Sequence, residues 1–149
     1  MIKKFLLTIF LITTIISAND KLKWYGFDEG LAKAKKENKF LLVDFYTDWC
    51  GWCKKMDSET YANKNIIKLL NKDFVLVKLN PEKHGTVNFD SNTYTNGQFA
   101  GAAGVTGYPA TGFFEPSGQF IGIIPGYLDP TNFTDLLSKI VSKDYLNQQ

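Results

Sequence analysis

The order of apolar and polar positions along the chain predicts alternating helices and strands. Two runs, Phe40–Tyr46 and Phe74–Leu79, are almost continuously apolar, which is typical of parallel strands whose two faces are both covered. Capping residues and helical spacing predict helices around these strands. They run from Asp28, as the N-cap, to about Asn38, from about Cys50 to Thr60, from Lys64 to Leu70 and from Gln98 to Ala103.

The C-terminal part of the chain predicts an antiparallel hairpin covered by a helix. Ala110–Glu115 and Phe120–Ile124 are typical of strands, and the intervening Pro-Ser-Gly is a hairpin signal. Asp129 caps a last helix, whose apolar side chains share one face: Phe133, Leu136, Leu137, Ile140 and Val141. We therefore expect an α/β fold whose central mixed sheet is parallel in its first part and ends in an antiparallel hairpin, with helices on both faces.

Residues 80–97 are polar and show no clear period, so no helix or strand is predicted there. A connection of this length in a compact domain is often functional or mobile. Two interpretations remain equal: the segment shapes the choice of partner, or it is a tolerated surface insertion.

The first 18 residues have the layout of a secretory signal. Lys3 and Lys4 precede an uncharged, mostly apolar run over Phe5–Ile16, and small residues follow up to Ala18. The run is shorter than the roughly 20 residues that cross a bilayer. We expect cleavage near Ala18, export to a periplasm, and one domain over residues 19–149; an uncleaved anchor is the alternative.

The charge balance argues against nucleic acid as a partner. The chain has 17 basic and 15 acidic residues, with lysine as the only strongly basic type. Removal of the leader, with its two lysines, brings the net charge near zero. Nothing in this composition is suited to neutralising a phosphate backbone.

The two cysteines of the chain, Cys50 and Cys53, stand in Trp-Cys-Gly-Trp-Cys. A disulfide across so short a loop removes little entropy from the unfolded chain, so a purely structural bridge is disfavoured. Haem attachment needs a histidine after the second cysteine, where this chain has Lys54. Structural zinc needs four ligands, and His84 is the single histidine. A Cu(I) site of two thiolates stays open.

A cysteine pair in the first turn of a helix suits redox chemistry. The unpaired N–H groups and the helix dipole favour a thiolate there and lower the pKa of its thiol. Because the preceding strand ends at the carboxyl edge of the sheet, we expect Cys50 to be the exposed nucleophile. Cys53, one turn later, is expected to be more covered and to resolve the mixed disulfide.

At these residues the chain resembles the thioredoxin family. Residues 43–54, Val-Asp-Phe-Tyr-Thr-Asp-Trp-Cys-Gly-Trp-Cys-Lys, are similar to its active-site stretch, and residues 105–111, Val-Thr-Gly-Tyr-Pro-Ala-Thr, are similar to its cis-proline loop. Lys78-Leu-Asn and Gly126 match further family positions. The likeness covers about residues 22–143, implies a thioredoxin fold, and is nearest to exported DsbD-like reductase domains.

The resemblance also implies roles for individual residues. Asp44 is implied as the buried carboxylate that moves protons to and from Cys53, with helix capping as the alternative. Lys78 is implied as its partner or as a solvated lysine, and Asp57 as a second acid or as a surface residue. The substrate-binding surface is implied to comprise the following residues: Trp49, Gly51, Trp52, Tyr108 and Pro109.

Together these features predict an exported thiol–disulfide oxidoreductase that reduces protein disulfides. An uncharged Trp52 between the cysteines favours a reducing couple over an oxidising one. We expect no cofactor beyond the redox-active disulfide Cys50–Cys53 and no metal. The expected partners are protein thiols and disulfides and a membrane electron donor, with the chain acting as a monomer. The alternatives are a disulfide oxidase or isomerase, and a non-enzymatic Cu(I)-binding or adaptor module.

Overall fold

The computed structural model describes residues 21–148, so the predicted signal segment lies outside the described residues. Five helices are present in this part of the chain: α1 (Phe27–Glu37), α2 (Gly51–Glu59), α3 (Lys64–Asp73), α4 (Asn96–Ala102) and α5 (Pro130–Val141). A 3-10 helix over Asp144–Gln148 follows α5. Within residues 21–148, no helix has both the length and the apolar character required to cross a membrane.

The described residues also form seven strands in two sheets: β1 (Trp24–Tyr25), β2 (Phe40–Phe45), β3 (Phe74–Leu79), β4 (Thr86–Phe89), β5 (Asn92–Thr95), β6 (Ala110–Phe114) and β7 (Phe120–Pro125). The central sheet has the order β1-β3-β2-β6-β7. Its β1/β3 and β3/β2 pairs are parallel, whereas β2/β6 and β6/β7 are antiparallel. This mixed sheet, with its C-terminal antiparallel hairpin, confirms the predicted fold class.

Strand β2 divides the core because its alternate side chains enter two different hydrophobic clusters. Val43 and Phe45 pack on the face covered by α1, α4 and β4. Leu42 packs on the other face, together with side chains from α2, α3 and α5. Gly30 lets α1 approach the first face closely, since a Cβ there would overlap with Val77. Helices therefore lie on both faces, as predicted.

The predicted N-cap of the first helix is wrong. Gly26 is the N-cap of α1, and Asp28 lies within its first turn. The Asp28 carboxylate instead accepts hydrogen bonds from the backbone N–H (2.9 Å) and the side-chain amide (2.6 Å) of Asn88. The Asp28 carboxylate therefore binds Asn88 of β4 instead of capping α1.

Residues 80–97 are more ordered than their sequence indicates. They include the antiparallel hairpin of β4 and β5, whose turn residues Asp90 and Ser91 both have positive φ. Val87 is 1% exposed, and Phe89 and Tyr94 pack against the core. The segment therefore contains a hairpin that contributes Val87 to the core, while most of its other residues are exposed.

Candidate active site

The cysteine pair lies where the chain passes from β2 into α2. Cys50 is the N-cap of α2, and its Sγ accepts a hydrogen bond from the backbone N–H of Cys53 at 3.1 Å. The two residues form a disulfide with their Cα atoms 5.3 Å apart. The sulfur of Cys50 therefore sits at the positive end of the helix dipole, where a thiolate is favoured.

The expected difference in exposure between the cysteines is wrong for the disulfide form. Cys50 and Cys53 are both buried, each 4% exposed. Because Cys50 Sγ caps the helix and is bonded to Cys53, it folds back over the first turn instead of projecting into solvent. The accessible surface around the pair comes from Trp49 and Trp52, which are 67% and 57% exposed.

Trp49 connects two segments that converge on the pair. Its indole N–H donates to both carboxylate oxygens of Glu82, each at 3.1 Å. Its ring makes an edge-to-face contact with Tyr108, with a 6.1 Å centroid distance. Glu82 was not predicted from the sequence, although its position just after the end of β3 places it at the same edge of the sheet.

The peptide bond between Tyr108 and Pro109 is cis. The Pro109 carbonyl accepts a hydrogen bond of 2.8 Å from the N–H of Gly126, whose φ of +87° suits glycine. This bond joins the start of β6 to the end of β7. Tyr108 is partly exposed, whereas Pro109 is buried.

An open groove runs beside the cysteine pair, lined by Trp52, Tyr108, Pro109, Gly126 and Tyr127. The ring centroids of Trp52 and Tyr127 lie 5.4 Å apart. The Lys55 ammonium nitrogen lies 5.0 Å from the Trp52 centroid and 5.3 Å from the Tyr127 centroid, which is the geometry of a cation–π contact. Gly51, the first residue of α2, is exposed, and a Cβ there would meet no atom within 4 Å. The groove thus offers aromatic surface beside the disulfide, and Gly51 leaves open space next to it.

Asp44 is buried in the sheet beneath α2, 2% exposed. It shares a face of β2 with Leu42, and α2 covers that face through Met56, one turn after Cys53. Burial raises the pKa of Asp44 to about 6, although the positive charge of Lys78 opposes this rise. A carboxyl group that titrates near neutrality suits general acid–base catalysis.

Lys78 joins Asp44 to Asp57. Its ammonium lies 3.2 Å from the Asp44 carboxylate and 2.7 Å from that of Asp57. Burial alone lowers the pKa of Lys78, but the two carboxylates more than compensate, so its pKa is raised. Since Asp57 is 45% exposed, the ion pair connects the buried carboxyl to the surface.

The structure thus brings the sequence-predicted residues into two groups near the disulfide. Trp49, Gly51, Trp52 and Tyr108 are at least partly exposed beside the buried Pro109, and the second group is the ion-paired set of Asp44, Lys78 and Asp57, of which Asp57 belongs to α2 itself. Within residues 21–148, no group of three or more His, Cys, Asp or Glu residues could hold a metal ion. His84 is exposed in the segment between β3 and β4.

Known proteins resemble this chain in sequence and in structure. A family model described as a thioredoxin-like domain matches residues 27–140. The solution structure of a thioredoxin from Thermus thermophilus superposes with a TM-score of 0.68 at 21% identity, over 83% of this chain and 89% of that one. The match to this structure confirms the thioredoxin fold.

The chain is also similar in sequence to segments of two much longer proteins. Spermatogenesis-associated protein 20 from Homo sapiens is 35% identical over 70% of this chain and 13% of that protein. The thiol:disulfide interchange protein DsbD from Pasteurella multocida is 27% identical over 91% of this chain and 22% of that protein. The chain therefore spans less than a quarter of the length of these relatives.

Proposed function

The chain belongs to the thioredoxin-like family, and we propose that it is an exported reductase of protein disulfides. The family match, the Cys50–Cys53 disulfide and the relatedness to DsbD support thiol–disulfide oxidoreductase activity. The observation that carries the proposal is a cysteine pair at the start of α2 with a buried, near-neutral carboxyl beneath the same helix.

In the first step, the Cys50 thiolate attacks one sulfur of a partner's disulfide. A mixed disulfide forms between Cys50 and the partner, and the partner's other sulfur leaves as a thiolate that takes a proton from water. Asp44 then accepts the proton of the Cys53 thiol, and the Cys53 thiolate attacks Cys50 Sγ. The bond between Cys50 and the partner breaks, and the partner's second sulfur leaves as a thiolate that takes a proton from water, while Asp44 releases the Cys53 proton to solvent. The partner is then a dithiol, two electrons richer, and the protein is left with the Cys50–Cys53 disulfide.

The direction of electron flow rests on the residues beside the pair. Trp52 lies between the cysteines and carries no charge, so it gives the thiolate no electrostatic stabilisation of the kind that makes a couple strongly oxidising. A reduction potential near that of thioredoxin, about −270 mV, supports a reductase. A potential near about −120 mV contradicts this direction and indicates an oxidase.

Reduction of insulin disulfides by dithiothreitol tests the enzymatic activity. The parent protein is expected to accelerate the reaction, and Cys50→Ser is expected to abolish the acceleration because it removes the nucleophile. Asp135→Asn, a substitution on the exposed face of α5, is the matched control and retains the parent rate. Equal rates for Cys50→Ser and the parent contradict the proposal.

The proposal also includes protein partners, a membrane electron donor, export and a monomeric state. Exported protein carrying Cys53→Ser is expected to accumulate mixed disulfides through Cys50, because the resolving thiol is missing. Mass spectrometry of these adducts identifies the partner proteins, including a membrane electron donor.

The N-terminal residue of the periplasmic form tests cleavage near Ala18, and sedimentation of this form tests the monomeric state. Recovery of the intact chain with the cytoplasmic fraction contradicts export.

A further inference from the structure

The groove beside the disulfide is flanked by a lysine that has no carboxylate partner. Lys55 and Glu59 stand four residues apart on α2, a spacing at which opposite charges on a helix can pair. The Glu59 carboxylate instead accepts a hydrogen bond of 2.6 Å from the Tyr127 hydroxyl. Within residues 21–148, no carboxylate oxygen lies within 4.0 Å of the Lys55 ammonium.

The Lys55 ammonium is held over two aromatic rings of the groove. It lies 5.0 Å from the ring centroid of Trp52 and 5.3 Å from that of Tyr127, and both rings line the groove. The face of an aromatic ring attracts a cation, but it does not neutralise the charge as a carboxylate does. Because Lys55 is exposed, its N–H groups are accessible to an acceptor that a partner brings into the groove.

Two carboxylates on this side of the groove already have donors of their own. Glu59 is bonded to Tyr127, and Asp129 accepts hydrogen bonds from the backbone N–H groups of Thr131 (2.9 Å) and Asn132 (3.2 Å). As the N-cap of α5, Asp129 is also stabilised by the positive end of that helix dipole. The uncompensated charge beside Trp52 and Tyr127 is therefore the cation of Lys55.

We propose that Lys55 selects protein partners that carry an acidic residue beside the disulfide to be reduced. A partner segment in the groove lies against Trp52 and Tyr127, so an Asp or Glu side chain of that segment is within reach of the ammonium. An exposed charge of this kind acts mainly on the rate of association and on its salt dependence. The selection rests on the proposed function and narrows its substrates to one chemical class.

Three disulfide-bonded model peptides that differ at one position beside a cysteine, with Glu, Gln or Lys there, test the selection. The parent protein is expected to reduce the Glu peptide with a kcat/KM about three- to fivefold above that of the Gln peptide. The Lys peptide is expected to be the slowest. The difference should lie in KM and should disappear in about 0.5 M salt, where such interactions are largely screened.

Three variants assign the preference to one side chain. Lys55→Gln is expected to remove the preference for the Glu peptide, and Lys55→Arg is expected to retain it because the charge is kept. Lys68→Gln, at an exposed position of α3, changes the net charge equally and is expected to keep the parent preference. A loss of preference in Lys68→Gln as large as that in Lys55→Gln contradicts a local role for Lys55.

Binding without turnover separates partner selection from catalysis. The same peptides, with serine in place of each cysteine, are titrated into the disulfide form and followed by two-dimensional NMR. The Glu peptide is expected to bind the parent about three- to fivefold more tightly than the Gln peptide, and Lys55→Gln is expected to bind both equally. Equal or undetectable binding of the Glu and Gln peptides by the parent overturns the inference, as does tighter binding of the Lys peptide. An inactive parent that still prefers the Glu peptide contradicts the proposed function alone.

Discussion

At the scale of single residues, the site depends on Asp44, a buried carboxyl group whose ion-pair partner is Lys78. Asp44 is surrounded by core side chains, so its neutral form is favoured, and its pKa is raised from 3.8 to about 6. The folded state consequently binds a proton more tightly than the unfolded chain between these pH values. The contribution of Asp44 to the free energy of unfolding is therefore fully present below pH 3.8, and it is lost as the pH rises through about 6.

Substitution Asp44→Asn is expected to stabilise the oxidised protein at pH 8 by up to about 3 kcal/mol, because the buried charge is removed. At pH 3.5, where Asp44 is neutral, the two proteins are expected to be equally stable. Urea unfolding at both pH values measures the difference. Asp135→Asn, an exposed substitution, is expected to give no pH-dependent gain, and the same result for Asp44→Asn contradicts a buried charge.

Sequence could identify the reacting residues but not how they are covered. The spacing of Cys50 and Cys53 and the position of Asp44 in an apolar run indicate the chemistry. Cys50 is buried because its own sulfur caps α2. The hydrogen bond from Trp49 to Glu82 joins residues that are far apart in sequence.

At the scale of elements, strongly apolar segments are predictable and polar ones are not. β2 and β3 follow from their continuous apolar runs, and α5 from its spaced apolar face. The β4/β5 hairpin is mostly polar, and its turn uses Asp90 and Ser91 instead of the favoured Asn-Gly. The short β1 has two residues and depends on pairing with β3 rather than on a pattern of its own.

The hairpin is expected to stabilise the fold without influencing the redox site. Val87→Ala is expected to reduce the free energy of unfolding by about 2 kcal/mol, because it removes buried methyl groups and leaves a cavity. The reduction potential is expected to remain unchanged, since Val87 packs on the face opposite Asp44. Thr86→Ala, at an exposed neighbouring position, is the control. A shifted potential in Val87→Ala would show that the hairpin acts on the site.

At the scale of the whole molecule, the two ends of the central sheet differ in character. The end that carries the cysteines exposes Trp49 and Trp52 beside the aromatic groove. The opposite end exposes Phe120, 37% accessible, where β7 begins. Large exposed aromatic side chains next to a reactive pair provide contact area for a protein partner.

Trp52→Ala is expected to raise the KM for a protein disulfide about five- to tenfold, because it removes contact area in the groove. The rate with a small disulfide such as oxidised glutathione is expected to change little. Steady-state kinetics with both substrates measure the contrast. Phe120→Ala, at the opposite end, is expected to leave both substrates unaffected; equal losses for the protein and the small disulfide would contradict a docking role for Trp52.

The most direct test of the chemistry is the pH dependence of Cys50 alkylation. In reduced Cys53→Ser, Cys50 is the one remaining thiol, and its reaction with iodoacetamide reports both its ionisation and its access to solvent. Because Cys50 lies at the N-terminus of α2, we predict a midpoint below about 7.5 and a rate at pH 7 well above that of a cysteine peptide, whose thiol has a pKa near 8.5. A rate at pH 7 equal to or below that of the peptide contradicts a nucleophilic Cys50.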